Sequence, residues 1–290
     1  METRRRSFCH HQDTRGHRIM KTQLVGIVNV TPDSFSDGGV ANNAQTALML
    51  AKKHFDEGAH IIDIGAESTR PGATPISIHE EWDRLQPVLK LLEKKLPKAV
   101  LSIDTYHAET VAKLVTHEID WINDVSGGCP EIAKLISRYD TFHHVIMHNL
   151  GVPANKDKTL PASQDPISAI LHWAEEKLIE LERIGLSSSR IILDPGIGFG
   201  KTPEQSVHIL RHIKELKILG VPLMVGHSRK SFLSFFGGTA TMEEKDKRTA
   251  EISAHLQREG VEYIRVHNVK ASMDAMRDNI APPPGLLVTP

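Results

Sequence analysis

Polar side chains stand at or near the ends of eight short apolar runs in this 290-residue sequence. In chain order they are Asn29, Asp63, Asp104, Asn123, His148, Asp194, Ser228 with Lys230, and Arg265 with His267. Carboxylate and amide oxygens accept hydrogen bonds from the amino and ring N–H groups of a flat heterocycle. We therefore predict that Asp104, Asn123 and Asp194 bind such a ring. For a single residue such as Asp63 or Ser228, helix capping is the alternative, because Asp and Ser cap helices well.

A second group of residues suits a phosphate or diphosphate. Two loops, "TPDSFSDGG" at 31–39 and "STRPGA" at 68–73, supply hydroxyls and backbone N–H groups. Positive charge and N–H donors come from Arg70, Lys230, Arg265 and His267. Together these features predict that one ligand carries phosphate-like negative charge.

Three other motifs do not match established sites. The stretch "PGIGFGKT" at 195–202 has Pro195 where a phosphate-binding P-loop needs its first glycine, and it is one residue too short for a dinucleotide fingerprint. We interpret it as a tight turn whose glycines give backbone freedom. Lys230 as a Schiff-base lysine is a minor alternative, because polar neighbours surround it. His143 and His144 are adjacent, so they point to opposite faces of a strand and favour no joint metal site.

Eight strand-like runs position these residues, and a helical pattern follows each of them. The runs are 23–30, 60–65, 99–104, 119–124, 142–148, 190–196, 222–228 and 261–267. Nearly continuous apolar strands indicate burial on both faces, which is typical of a parallel sheet. Eight such units in a chain of this length favour a (β/α)₈ barrel over an open doubly wound sheet. In a barrel the carboxyl ends of the strands form one rim, where active sites lie.

The barrel is predicted to occupy residues 21–280 as one α/β domain. Residues 1–20 are polar and basic, with too few apolar side chains to order them, so we expect a disordered extension. Residues 281–290 form a proline-rich tail.

Composition excludes several classes of partner. The formal net charge is −1, which gives no electrostatic case for nucleic acid or an anionic membrane surface. No apolar run approaches the length of about 18 residues that a transmembrane helix needs. Two cysteines, Cys9 and Cys129, form no paired motif and fit a reducing, cytoplasmic location.

Several separate motifs together give the chain a family resemblance. They are "NVTPDSFSDGG", "DIGAESTRPGA", "SIDT", "INDVSGG", "MH", "LDPGIGFGKT", "SRKSF" and "RVH". In this order they resemble dihydropteroate synthases, over roughly residues 22–280. The resemblance implies a barrel enzyme that joins 4-aminobenzoate to 6-hydroxymethyl-7,8-dihydropterin diphosphate and releases 7,8-dihydropteroate and diphosphate. It also implies Mg²⁺ as cofactor, competition by sulfonamides, and a homodimer.

The resemblance also assigns residues to subsites. The metal ligand is Asn29. The residues assigned to diphosphate are Thr69, Arg70, Arg265 and His267. Those assigned to the pterin are Asp104, Asn123, Met147, Asp194, Phe199, Lys230 and Arg265. Those assigned to 4-aminobenzoate are Phe35, Thr69, Pro71 and Ser228. With Asn29 on strand one, the following loop would fold over diphosphate and magnesium as a lid.

Two other readings remain open. Pterin-dependent methyltransferases share the barrel but should need no diphosphate loop, and a non-catalytic pterin-binding paralogue should have lost Asn29, Lys230 or Arg265. The chain departs from the family pattern at Ala66, in "MHNLGVPANKDKTL", and at Asn268. If position 66 required positive φ, alanine there would cost about 1 kcal/mol.

Overall fold

The architecture is a closed ring of parallel strands surrounded by helices. The computed structural model describes residues 11–12, 18–19, 22–31, 39–69, 72–155, 157–237 and 240–287. The barrel strands are β1 Gln23–Asn29, β2 Ile61–Gly65, β3 Val100–Asp104, β4 Trp121–Asp124, β5 His143–Met147, β6 Ile191–Asp194, β7 Met224–Val225 and β8 Tyr263–Val266. The predicted βα alternation is confirmed.

Helices follow the strands on the outside of the ring. The α-helices are α1 Gly39–Asp56, α2 Ile78–Lys95, α3 Ala108–Leu114, α4 Pro130–Ile136, α5 Pro166–Ile184, α6 Pro203–Arg211, α7 Met242–Arg258 and α8 Val269–Arg277. Short 3₁₀ helices cover Ser188–Arg190, Ile213–Leu219 and Ser231–Phe236. Among the described residues, no helix combines the length and the apolar character that crossing a membrane requires.

The sheet closes on itself, which decides between the two predicted topologies. Its strand order is β6-β5-β4-β3-β2-β1-β8-β7, all parallel, and a parallel bridge between Leu193 and Leu223 joins the two ends. The Leu193 N–H also donates to the Pro222 carbonyl at 2.9 Å. The fold is therefore the predicted (β/α)₈ barrel and not an open sheet.

Strand β7 is shorter than the predicted 222–228. Pro222 has no backbone N–H to donate to a ladder, which limits pairing at the start of the run. At its end Arg229 has φ of 58°, in the left-handed region, so the chain has left the strand conformation. Residues 226–228 lie beyond the strand at the rim.

The barrel interior changes from apolar to polar along the strands. One layer, buried and apolar, consists of Val25, Ile61, Trp121, Val145, Ile192, Met224 and Tyr263. Side chains on a strand alternate between faces, so positions two residues further on also point inward. Those positions include Asp63, Asn123, Asp194 and Arg265, and Ser102 lies two residues after Val100, which packs against the same layer. A polar site therefore rests on an apolar floor, at the carboxyl ends of the strands.

The first residues of the chain contribute one small element. His11–Gln12 pairs antiparallel with Arg18–Ile19, separately from the barrel sheet. Most of the predicted extension, residues 1–20, lies outside the described residues. Its predicted disorder and the boundaries at 21 and 280 stay predictions.

Candidate active site

Strand register brings the predicted residues to one rim. Asn29 pairs with Gly65, Gly65 with Asp104, and Asp104 with Asn123, across β1 to β4. On the opposite side, Met147 of β5 pairs with Asp194 of β6. Five predicted residues from separate strands thus share one end of the barrel.

Arg265 links two carboxylates at the centre of this rim. Its Nε donates to Asp63 Oδ2 at 2.6 Å, and its Nη2 donates to Asp104 Oδ2 at 2.7 Å. Burial opposes the charge on Arg265, but Asp63 and Asp104 outweigh it and raise the pKa of the guanidinium. Burial also raises the pKa of Asp104 to about 7, against the opposing effect of Arg265. The result is a cation that two carboxylates hold in place at the rim.

Asp63 orients its neighbours and caps no helix. Besides Arg265, it accepts from the Ser102 hydroxyl and from Asn123 Nδ2 at 3.2 Å. Because the Asn123 NH₂ donates to Asp63, its carbonyl oxygen is the atom that can accept a hydrogen bond from a ligand. A carboxylate inside the apolar run "IIDIG" was the sequence signal for this role. No role in the site was predicted for Asp63 from the sequence.

Asp194 lies at the end of β6, four strands along the ring from Asp63 in β2. Its Oδ1 accepts from the Gly196 N–H at 2.7 Å. Burial raises the pKa of Asp194, although nearby Lys230 acts in the other direction. A Cβ placed on Gly226 would lie 3.4 Å from Asp194 Oδ2 and 3.9 Å from Arg265 Cδ. A side chain at 226 would therefore contact both groups, and glycine leaves the space beside them unfilled.

The loop after β6 is the predicted tight turn. Gly196, Gly198 and Gly200 have φ of 67°, 78° and 70°, a region that favours glycine. A Cβ on Gly196 would lie only 1.9 Å from the His148 carbonyl oxygen, so no other residue fits there. Lys230 Nζ donates to the Ile197 carbonyl at 2.6 Å and lies 4.8 Å from the centre of the Phe199 ring. Burial lowers the pKa of Lys230 to about 8.

His267 and Ser228 form a pair at the ends of β8 and β7. Ser228 Oγ lies 2.9 Å from His267 Nδ1 and accepts the His267 backbone N–H at 3.2 Å. A cavity of about 260 Å³ next to them is lined by Ile27, Asn29, Leu50, Lys53, His54, Glu57, Arg229, His267 and Asn268. Asn29 and His267, predicted for metal and diphosphate, thus face the same space.

The structure describes only one of the predicted residues of the first two rim loops, Thr69. Phe35, Arg70 and Pro71 lie outside the described residues, as does most of the predicted lid. Thr69 is half-buried, and its carbonyl accepts the Ala154 N–H at 3.2 Å, which ties the long loop after β5 to the rim.

The departures from the family pattern leave the rim intact. Among described residues other than glycine, only Arg229 and Asn279 have positive φ, so the strain considered for Ala66 does not arise. Asn268 caps α8 by accepting the Ala271 N–H, and it donates to Asp246 Oδ2 at 3.0 Å. His144 contacts Asp124 at 3.2 Å while the His143 ring packs near Trp121, confirming that the two histidines face opposite sides.

Comparison with known proteins agrees with this site. The model of the family described as pterin binding enzyme matches residues 25–267. A dihydropteroate synthase from Synechocystis is 39% identical over 253 residues, covering 87% of this chain and 86% of the relative. The chain belongs to the dihydropteroate synthase family of pterin-binding enzymes.

Further matches extend this family assignment. A folate synthesis bifunctional protein from Chlamydia trachomatis is 39% identical over 273 residues, which is 91% of this chain but 60% of that relative's length. The crystal structure of a dihydropteroate synthase from Clostridium difficile with pteroic acid has a TM-score of 0.82 at 37% identity, covering 90% of this chain and 96% of that one.

One buried lysine near this rim, Lys201, was not predicted as a site residue from the sequence. Lys201 is 6% exposed and donates to His148 Nδ1 at 2.7 Å. Lys201 follows the glycine turn in "GFGKT", a stretch that does not match a P-loop and therefore indicated no role for this lysine. Burial lowers the pKa of Lys201 to about 7 and that of His148 to about 3, so His148 is neutral and accepts.

Proposed function

We propose that this chain is a dihydropteroate synthase. It would join 6-hydroxymethyl-7,8-dihydropterin diphosphate to 4-aminobenzoate and release 7,8-dihydropteroate and diphosphate. The observation that carries the proposal is the polar layer of Asp104, Asn123 and Asp194 on an apolar barrel floor, with Lys230 and Arg265 beside it. The pteroic acid held by the similar Clostridium difficile enzyme contains a pterin joined to a 4-aminobenzoate unit, which supports the same pair of substrates.

The described residues suit the pterin half of this reaction. Carboxylates at 104 and 194 accept N–H groups of the amino-pyrimidinone edge, and the Asn123 oxygen accepts another. Lys230 supplies a donor and Phe199 an apolar face. As the bond between the exocyclic carbon and the diphosphate oxygen breaks, cations at the rim stabilise the charge that builds on the leaving diphosphate. The amine of 4-aminobenzoate then attacks that carbon and loses one proton to water or to the released diphosphate. No protein nucleophile is required.

We include Mg²⁺ in the proposal, held by Asn29. An amide oxygen is a modest ligand, which suits an ion that keeps water and takes phosphate oxygens for most of its shell. The nearby cavity offers cationic Lys53 and Arg229 along with Asn29, so the residues fit a metal that arrives with diphosphate better than one held alone. When bound, Mg²⁺ would neutralise charge on the diphosphate.

The direct test is an assay of purified protein with both substrates, with and without Mg²⁺. We expect stoichiometric 7,8-dihydropteroate and diphosphate, with the rate dependent on Mg²⁺. Pterin binding without any product would favour the non-catalytic alternative, and methyl transfer from a methylated pterin would favour the methyltransferase.

We also propose that the protein is a homodimer and is located in the cytoplasm. Sedimentation would test the homodimer, and cell fractionation would test the location.

Diphosphate should strengthen binding at the 4-aminobenzoate subsite. His267, predicted for diphosphate, lies 2.9 Å from Ser228, predicted for 4-aminobenzoate, so one ligand orders part of the other's site. We expect a sulfonamide to bind about 5- to 150-fold more tightly with diphosphate and Mg²⁺ present, the usual coupling range. Calorimetric titration measures this, and Asn29→Ala should reduce the coupling while leaving dihydropterin affinity unchanged. Equal sulfonamide affinity under all conditions would contradict it.

Dihydropterin binding should weaken as the pH rises through 8. Lys230 is protonated below its pKa of about 8 and loses its charge above it, which weakens its hydrogen bond to the ligand. Titration of 6-hydroxymethyl-7,8-dihydropterin from pH 6 to 10 measures this, with Lys230→Met as the control that should lack the change. The free energy of unfolding should change in the opposite direction and rise with pH above 8. In that range the unfolded chain retains the proton that folded Lys230 has lost, so the contribution of this group to folding increases.

A further inference from the structure

Below its pKa of about 7, Lys201 is an ammonium, and it uses all three of its protons inside the protein. It donates to His148 Nδ1 at 2.7 Å, to the His148 carbonyl at 3.1 Å, and to the Phe199 carbonyl at 3.0 Å. An ammonium has three donors and no acceptor, so these contacts satisfy it completely. Lys201 is therefore fixed in place and has no proton left to offer a substrate.

Each acceptor of Lys201 belongs to a segment that carries pterin residues. His148 directly follows Met147, and its backbone N–H donates to the Asp194 carbonyl at 3.0 Å. Phe199 lies in the glycine turn that begins at Gly196, whose N–H donates to Asp194 Oδ1. Lys201 therefore joins the end of β5 to the turn after β6 directly behind Asp194.

A second lysine, Lys230, also donates a hydrogen bond to this turn. Lys230 bonds to the carbonyl of Ile197, two residues before the carbonyl that Lys201 holds. Thr202, next to Lys201, caps α6 in a capping box with Gln205, so the far end of the turn is also anchored. Burying an ammonium costs folding free energy even when it is hydrogen-bonded. A buried lysine that bridges two segments carrying predicted pterin residues is therefore a candidate for a role in the site as well as in folding.

We propose that Lys201 is a positioning residue for the pterin. It fixes the 195–200 turn against His148 so that Asp194 and Phe199 are presented to the ring, and it acts through these residues without touching the ligand. This inference rests on the proposed function for the identity of the ligand. Direct binding tests it without turnover, so its outcome is separate from that of the product assay.

The test compares Lys201→Met with Lys217→Met by titrating 6-hydroxymethyl-7,8-dihydropterin. Lys217 is a matched control because it also bonds to a backbone carbonyl, that of Gly260, and to Glu262 at 2.8 Å. It ties the loop before β8, away from the rim. We expect Lys201→Met to raise the dihydropterin Kd about 10-fold or more, in line with losing charged hydrogen bonds. Lys217→Met should lower Tm and leave that Kd unchanged.

A double-mutant cycle tests whether Lys201 acts through its contact with His148. His148→Ala should also raise the Kd, and Lys201→Met combined with His148→Ala should add little further, because both remove one shared contact. In steady state the KM for the pterin diphosphate should rise while the KM for 4-aminobenzoate stays within about two-fold.

Two results would overturn the inference. One is an unchanged dihydropterin Kd in folded Lys201→Met, which would make Lys201 a structural residue only. The other is additive effects of the two substitutions, which would separate His148 from Lys201. If Lys201→Met does not fold, Lys201→Gln replaces it: Gln has two N–H donors in place of three on a side chain one bond shorter, so the dihydropterin Kd should still rise, and an unchanged Kd would again contradict the inference.

Discussion

Arg265→Met is expected to lower the free energy of unfolding at pH 8 by about 3–5 kcal/mol, the usual result of removing one partner from a buried ion pair. The substitution leaves Asp63, which is fully buried, and Asp104 without the cation that lies 2.6 and 2.7 Å from them. Two neighbouring carboxylates in that environment must either repel each other or take up a proton. Urea denaturation of both proteins measures the difference.

The loss should be smaller at pH 5.5 than at pH 8. Burial already raises the pKa of Asp104 to about 7, and removing Arg265 raises it further, so acid protonates this carboxylate and relieves the repulsion. Arg277→Met is the control, because the Arg277 side chain is 66% exposed and pairs with Asp278 at 2.9 Å. That exposed pair should contribute no more than about 1 kcal/mol. A loss for Arg265→Met equal to the control would show that the carboxylates do not depend on Arg265.

Asp194→Asn is expected to weaken dihydropterin binding by roughly 1–3 kcal/mol or more, which is about 5- to 150-fold. The Asn carbonyl would keep the hydrogen bond from the Gly196 N–H, at 2.7 Å in the native protein. Its NH₂ would then occupy the place of Oδ2 and face the N–H edge of the pterin, donor against donor. Calorimetric titration of 6-hydroxymethyl-7,8-dihydropterin measures the change.

Stability distinguishes this effect from unfolding. Because burial raises the pKa of Asp194, its ionised form disfavours folding at neutral pH, and Asn at this position should leave Tm unchanged or higher. Asp165→Asn is the matched control, since Asp165 caps α5 at an exposed site and Asn caps equally well. Unchanged dihydropterin affinity in Asp194→Asn would place the pterin site elsewhere.

Much of this arrangement follows from local sequence. Apolar runs of strand length, each followed by a helical stripe, determine the eight βα units, and alternation along a strand places Asp104, Asn123, Asp194 and Arg265 inward. Glycines at 196, 198 and 200 were predicted to form a turn, and they do. These features depend on residues close together in the chain, so a single sequence contains the information for them.

Side-chain partners were decided by the tertiary structure alone. Arg265 reaches Asp63 and Asp104 across 202 and 161 residues, and Lys201 reaches His148 across 53. No local pattern states which residues of a rim will pair, because the pairing depends on barrel closure and strand register. The sequence by itself therefore determined the barrel, its polar rim and the family. Only strand pairing and barrel closure decided that Asp63 bonds to Arg265 and Asn123, that Ser228 contacts His267, and that Lys201 bonds to His148 and Phe199.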